Sequence, residues 1–188
     1  MNTKHYSSRL IATLTAVSAL IGAIGPHQAS LAQETGSAAK ARVGIYDSRA
    51  VAVAFAGSAA FNRWMGDLKA EHGKAKASGD QERAAELEAE GAARQRLLHM
   101  QAFSTGQVTN LLDQVKDKLP AIHEKAGVSV LVSKWDKDGL ARYKDAELVD
   151  VTMALVDAFS PSERQRKSAI AIQEHKPISL DQAERIKD

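Results

Sequence analysis

The chain has 188 residues, of which 44% are hydrophobic and 26% are charged, so one domain with a modest core is expected. It contains no cysteine, which excludes disulfides, thiolate metal sites and a lipid-modified cysteine. Its 25 basic and 23 acidic residues nearly balance, which argues against a nucleic-acid-binding surface.

Residues 1–32 have the pattern of a secretory signal peptide. Lys4 and Arg9 form a basic start, an apolar run covers 10–24, and the small residues Ser30 and Ala32 offer positions −3 and −1 of a cleavage site. The run is shorter than the roughly 20 residues of a membrane-spanning helix, so a membrane anchor is the weaker interpretation. Cleavage would leave 23 basic residues (25 less Lys4 and Arg9) against 23 acidic ones, and the mature chain is expected outside the cytoplasm.

The mature chain is predicted to begin with a disordered leader over 33–41, which is polar and rich in small residues. The next segment, RVGIYDS at 42–48, places Val43 and Ile45 on one face and ends in Asp-Ser. This pattern predicts a short strand followed directly by the start of a helix.

Two helices are predicted to form a long arm over about 58–126. Ser58 is a suitable N-cap, and Gly79 marks the turn in a stretch, 69–96, whose acidic and basic residues balance. The returning helix is predicted over roughly 81–126. Its last third carries a heptad seam formed by Val108, Leu112, Val115, Leu119, Ile122 and Ala126.

Pro120 and Gly127 interrupt this returning helix. Pro120 lies inside the seam and is expected to kink or restart the helix, because proline removes one helical hydrogen bond. Gly127 is expected to end it as a C-cap glycine.

A late β-hairpin is predicted over 128–143. Val128, Val130 and Val132 alternate along the first strand, and Asp-Lys-Asp-Gly at 136–139 has hairpin-turn chemistry. A helix is predicted over 146–159, and a charged C-terminal tail over 161–188.

The predicted fold is therefore α+β and mostly α. A small β core, made of one N-terminal strand and the late hairpin, belongs to a base at 42–57 and 127–160 and carries the protruding helical-hairpin arm. A single copy of this base buries little apolar surface, so we expect an oligomer. The expected oligomer core consists of Val43, Ile45, Val128, Val130, Val132, Leu148, Val151, Leu155 and Phe159.

No catalytic or metal-binding constellation emerges from the sequence. The histidines after residue 32 lack metal-ligand spacing, and Asp136-x-Asp138-Gly139 matches only part of a calcium loop. Nucleophile-elbow, phosphate-loop and dinucleotide motifs are absent from the sequence. We therefore expect no enzymatic activity, no cofactor and no metal. Trp64 is expected in the core and Trp135 at a hairpin end, with client contact as the alternative for both.

The order of strand, helical hairpin, β-hairpin and helix behind a signal peptide resembles the Skp/OmpH family of periplasmic chaperones over about 42–160. The resemblance is carried by the charged arm and by RVGIYDSRAV (42–51), GVSVLVSKWD (127–136) and DAELVDVTMALVDAF (145–159), whose Asp150, Thr152 and Leu155 look like the family's terminal helix pattern. It implies a homotrimer with a β core, whose arms enclose unfolded outer-membrane proteins close to the membrane. The arm here is shorter and less basic than the family's arm.

From the resemblance we expect an ATP-independent periplasmic holdase that binds unfolded outer-membrane or exported proteins. The candidate client contacts are the apolar residues of the returning helix: Leu87, Leu97, Leu98, Met100 and Phe103. The alternative is a non-enzymatic coiled-coil adaptor of the envelope that binds one folded partner. A holdase suppresses the aggregation of unrelated proteins, whereas an adaptor does not.

Overall fold

A computed structural model describes residues 40–186. The predicted signal peptide and most of the predicted leader lie outside the described residues. Within 40–186, three short strands and nine α-helices form an α+β fold that is mostly helical, as predicted.

The three strands form one parallel sheet with the first strand in the middle. They are β1 (Arg42–Tyr46), β2 (Val130–Ser133) and β3 (Glu147–Asp150). Val43 of β1 pairs with Val130 on one side and with Leu148 on the other. β2 and β3 are therefore separated by β1 and do not pair with each other.

The helices account for most of the chain between and after the strands. They are α1 (Ser48–Ala56), α2 (Ala59–Ala77), α3 (Gln81–Phe103), α4 (Thr109–Leu112), α5 (Leu119–Ala126), α6 (Lys137–Ala141), α7 (Thr152–Ala158), α8 (Glu163–Ala171) and α9 (Leu180–Glu184). Short 3-10 turns follow α4 and α8, at Asp113–Val115 and Ile172–Glu174.

The helix boundaries follow local chemistry. Asp47 begins α1 by accepting a hydrogen bond from the Arg49 backbone N–H, and Ser58 begins α2 in the same way from Phe61. Gly79, with φ of 77°, forms the turn between α2 and α3. Gly127, with φ of 63°, ends α5. The sequence predictions at Ser58, Gly79 and Gly127 are confirmed.

The predicted β-hairpin over 128–143 is wrong. Its first strand forms as β2, but the Asp-Lys-Asp-Gly segment starts α6 and makes no hairpin turn. The Asp136 side chain accepts a hydrogen bond from the Gly139 N–H at 2.9 Å, which is the geometry of a helix N-cap. Residues 136–139 thus suit the start of a helix as well as a hairpin turn. After α6 the chain crosses to the other side of β1, where it forms β3.

The helix predicted over 146–159 is also wrong in its first part, because 147–150 forms β3. The helix α7 begins only at Thr152, where the Asp150 side chain accepts the Thr152 backbone N–H at 2.8 Å. β3 pairs with β1 along its whole length, and this long-range pairing outweighs the helical pattern of the sequence.

The long helix predicted over 81–126 is broken after Phe103. The buried Gln101 side chain donates to the Gln107 carbonyl and to Asn110 Oδ1, both at 2.7 Å. Ser104 Oγ donates to the Ile178 carbonyl at 2.6 Å. Helical structure resumes as α4 and again as α5, which has Pro120 in its first turn, as predicted for that residue.

The main core forms around α1, which contacts α3, α7 and α8. Val108, Leu112 and Val115, predicted in a heptad seam, are buried in this core. The 161–188 segment also contributes, since α8 packs against α1 and α9 against α3, with Ala169 and Ala183 fully buried. The single chain therefore buries more apolar surface than was expected from the sequence, where only the base at 42–57 and 127–160 was counted.

The outer part of α2 and α3 has a much smaller core. Ala75, Ala84 and Leu87 are buried there, with Leu68 packed against them. Ion pairs also connect the exposed faces of the two helices, and one of them joins Arg83 to Glu71 at 3.2 Å. Exposed pairs of this kind contribute at most about 1 kcal/mol, so the hairpin is held weakly at its tip.

Two glycine substitutions are expected to have opposite effects on stability. Gly127→Ala should lower the free energy of unfolding by about 1–2 kcal/mol, because alanine adopts the left-handed conformation at a cost. Gly73→Ala should raise it by up to about 1 kcal/mol, because Gly73 lies inside α2 with open space around its Cα. Urea unfolding followed by circular dichroism measures both, and equal effects would contradict the assigned backbone conformations.

Candidate functional site

The carboxyl ends of the three strands meet at one edge of the sheet, where ligands bind in many α/β proteins. Asp47 follows β1, Lys134 and Trp135 follow β2, and Thr152 follows β3. The backbone N–H of Asp47 donates to Thr152 Oγ1 at 3.0 Å. These residues bring all three strand ends into one network.

The centre of this network is the Asp47 carboxylate, which is fully buried. Its Oδ1 accepts from the Arg49 backbone N–H, from Arg49 Nε at 3.1 Å and from the Trp135 indole at 3.0 Å. Its Oδ2 accepts from Arg49 Nη2 at 2.9 Å and from Lys134 Nζ at 2.7 Å. Arg49 is also fully buried and donates from Nη1 to the His175 carbonyl.

The electrostatics of the network keep Asp47 ionised. Burial alone would raise the pKa of Asp47, but hydrogen bonds from Arg49, Lys134 and Trp135 more than reverse this and lower the pKa to about 2. A carboxylate with such a low pKa, sealed from solvent, is a poor general base at neutral pH. The arrangement is suited to fixing the strand ends and not to transferring protons.

A cleft of about 600 Å³ lies beside this network. All four residues of β2 line one wall, and the 105–109 segment lines another. The rest of the lining comes from Tyr46, Trp135, Asp136, the start of α6, Arg142 and Tyr143. Burial first, and then the negative charge of Asp136, raises the pKa of Tyr46, so its phenol stays neutral at physiological pH.

A smaller pocket of about 200 Å³ lies where the inner ends of α2 and α3 meet the core. Its lining includes Trp64, Leu97 and Leu98. The Arg94 guanidinium stacks over the Trp64 ring with its carbon 4.4 Å from the ring centroid. The pocket is mainly apolar and opens next to an exposed part of α3.

The residues predicted for an oligomer core fall into two groups. Val151, Leu155 and Phe159 lie in the main core of the chain, and Val128 is buried close to Gly44. Strand alternation places the others on the opposite sheet face, because Tyr46, Leu131 and Val149 face the main core. Those others are Val43, Ile45, Val130, Val132 and Leu148.

The predicted client contacts are similarly divided. Leu87 is buried in the small core of the α2–α3 tip, and Leu98 and Met100 are half-buried. Leu97 and Phe103 remain 41% and 40% exposed. Only these two of the five predicted residues present large accessible apolar surfaces.

The cleft beside β2 is the feature that sequence reasoning missed. Its second wall, 105–109, fell inside a predicted helix, and its first wall fell inside a predicted hairpin. The single pointer in the sequence was Trp135, whose indole joins the network at the cleft.

The sequence matches no protein-family model, no curated protein and no solved structure. Of the helices the structure describes, none has the length and apolar character to cross a membrane. Between residues 40 and 186, no group of His, Asp and Glu side chains is placed to hold a metal ion.

The buried ion network predicts a specific pH dependence of stability. The folded-state pKa of Asp47 is about 2, below its ordinary value of 3.8, so its ionisation stabilises the fold at pH values above about 4. This contribution, about 2 kcal/mol, is lost as the pH falls from about 4 to 2. Asp47→Asn should lower the free energy of unfolding by about 3–5 kcal/mol at pH 7, since Arg49 and Lys134 lose their counter-charge.

Urea unfolding of the wild type and Asp47→Asn across pH 2–7 measures this effect. The difference between the two should shrink below pH 4, and a constant difference down to pH 2 would contradict the assignment. Asp157→Asn is the matched control, because its pair with Arg166 is exposed and screened by solvent, so its loss should change stability little at any of these pH values.

Proposed function

We propose that this protein is a non-enzymatic, ATP-independent holdase, exported to the periplasm, that binds unfolded outer-membrane or exported polypeptides. The observation that carries the proposal is the exposed apolar surface on the inner half of α3. Leu97 is exposed there and lines the 200 Å³ apolar pocket, and Phe103 is exposed at the end of the same helix. Apolar surface left accessible next to a pocket is typical of a surface that binds protein.

The thin packing of the α2–α3 hairpin supports the same proposal. The hairpin tip is held by one small cluster of buried residues and by exposed ion pairs. Local stability follows local burial, so the arm can bend to enclose polypeptides of different sequence. The balance of acidic and basic residues on the arm favours binding through apolar contacts over binding through net charge.

Self-association through the sheet face opposite the main core belongs to this proposal. Val43 and Val132 on that face are already buried within the chain, and Ile45 and Val130 are half-buried. Parallel sheets are ordinarily covered on both faces. Here α6 contacts β2 on the face away from the main core, whereas Leu148 at the other end of that face is 49% exposed. A second and third copy, in keeping with the resemblance to trimeric chaperones, would cover this apolar face and place several arms around one client.

The holdase role is tested by mixing the full chain with a urea-unfolded outer-membrane β-barrel and with unrelated unfolded proteins, and measuring light scattering. We expect suppression of aggregation for all of them. The double variant Leu97→Ser/Phe103→Ser should lose several-fold in suppression, because each serine removes about 2 kcal/mol of apolar contact.

The matched control is Ile170→Ser/Leu180→Ser, which removes two apolar side chains of similar exposure from α8 and α9. Equal losses in both double variants would contradict a role for α3. If the chain suppresses the aggregation of none of these proteins, the holdase proposal is refuted and the adaptor with one folded partner is favoured.

The oligomer is tested separately by multi-angle light scattering of the full chain and of Leu148→Asp. We expect a trimer for the wild type and a shift to monomer for the variant, because a charge on the covered face is costly. A wild-type monomer at all concentrations would contradict the shared sheet face while leaving client binding open to test.

A further inference from the structure

β2 is an edge strand whose outer side faces the large cleft. Its inner side pairs with β1, and the described residues include no strand on its outer side. Because all four β2 residues line the cleft and Tyr46 is the one β1 residue that does so, the cleft lies along the outer edge of β2. An edge strand presents backbone N–H and C=O groups that are ready to pair with another chain.

The pairing with β1 shows which backbone groups these are. The Lys134 N–H donates to the Tyr46 carbonyl at 2.8 Å. In a parallel ladder, every second residue of a strand directs its backbone N–H and C=O groups toward the same neighbouring strand. The backbone groups of Val130 and Val132 therefore face β1, and those of Leu131 and Ser133 face the cleft.

The Ser133 carbonyl already accepts from the Asp136 N–H at 3.0 Å. Among residues 40–186, no hydrogen bond partner occupies the Leu131 N–H, the Leu131 carbonyl or the Ser133 N–H. Two donors and one acceptor therefore line the cleft, at the spacing of one β-strand.

The charges in the cleft lining balance, which favours a ligand without a strong net charge. Asp136 and Asp138 are balanced by Lys137 and Arg142 in its lining. Trp135 and Tyr143 add aromatic surface. A neutral, extended backbone with mixed side chains complements this lining better than a phosphate or a carboxylate does.

The cleft size also suits a short strand. Its volume of about 600 Å³ lies within the roughly 300–1,000 Å³ of ligand-binding pockets. The four residues of β2 give an edge of about 13 Å, at about 3.3 Å per residue.

We propose that the outer edge of β2 binds an extended segment of unfolded polypeptide by adding it to the sheet as a fourth strand. The Leu131 N–H, Leu131 carbonyl and Ser133 N–H form its backbone hydrogen bonds, and Trp135 and Tyr143 contact its side chains. This inference rests on the proposed function, since it names the form in which a client binds. Backbone pairing makes the site tolerant of client sequence.

The test uses the isotope-labelled full chain and a short blocked peptide of alternating valine and threonine. We expect saturable NMR shifts at the amides of Leu131 and Ser133, and slower hydrogen exchange there. The same peptide with alternate backbone nitrogens methylated keeps its side chains but loses donors, and should bind roughly tenfold more weakly. Equal binding of the two peptides, or no binding, would overturn the proposal.

A cleft-filling variant provides the second test. Gln107→Trp places a large side chain at the exposed second wall and should abolish peptide binding, while Asp67→Trp on the exposed face of α2 should leave it unchanged. Protection of Leu131 and Ser133 that rises with protein concentration in the absence of peptide would assign the edge to a second copy and also overturn the proposal.

Aggregation assays on the same samples separate this inference from the holdase proposal. Full suppression of aggregation by Gln107→Trp, with no peptide bound by the wild type, would refute the β2 site and leave the arm function standing. Peptide binding at β2 without suppression of aggregation would confirm the site and refute the holdase.

Discussion

The buried Asp47 carboxylate is the interaction on which the rest of the structure depends. It caps the start of α1, pairs with both Arg49 and Lys134, and accepts a hydrogen bond from the Trp135 indole, while the backbone N–H of Asp47 donates to Thr152. A carboxylate buried without partners would cost several kcal/mol, so each of these groups must stay in place. The ends of β1, β2 and β3 are consequently held at fixed positions, although the sheet itself is only three short strands.

Stability is distributed unevenly around this fixed point. The main core surrounds α1 and extends to α8, so the base is packed from both halves of the sequence. The α2–α3 tip has only a small cluster around Leu87. The outer ends of α2 and α3 can therefore rearrange without loss of the main core, because local stability follows local burial.

The sequence predicted features that local chemistry determines and missed those that depend on distant contacts. Four predicted features each depend on a few neighbouring residues: the strand at Val43, the cap at Ser58, the turn at Gly79 and the C-cap at Gly127. The break after Phe103 depends on Ser104 bonding Ile178, 74 residues away, and no local pattern reveals it. The segment 136–139 is ambiguous locally, since Asp-Gly suits both a hairpin turn and a capped helix. Of the five residues predicted as client contacts, Leu97 and Phe103 are exposed, and the β2 cleft was not predicted.

The error at 136–139 has the largest functional consequence. A hairpin would have placed the returning strand on the outer edge of β2 and satisfied the Leu131 and Ser133 backbone groups. Because Asp136 caps α6, the chain crosses over and β3 pairs with the other side of β1. That choice of topology leaves β2 at the edge, next to the cleft and to the network of Asp47. An edge strand left open in this way is an aggregation hazard unless something covers it. On the proposed function, an unfolded client would be such a covering, and the walls of the cleft leave room beside β2 for about one further strand.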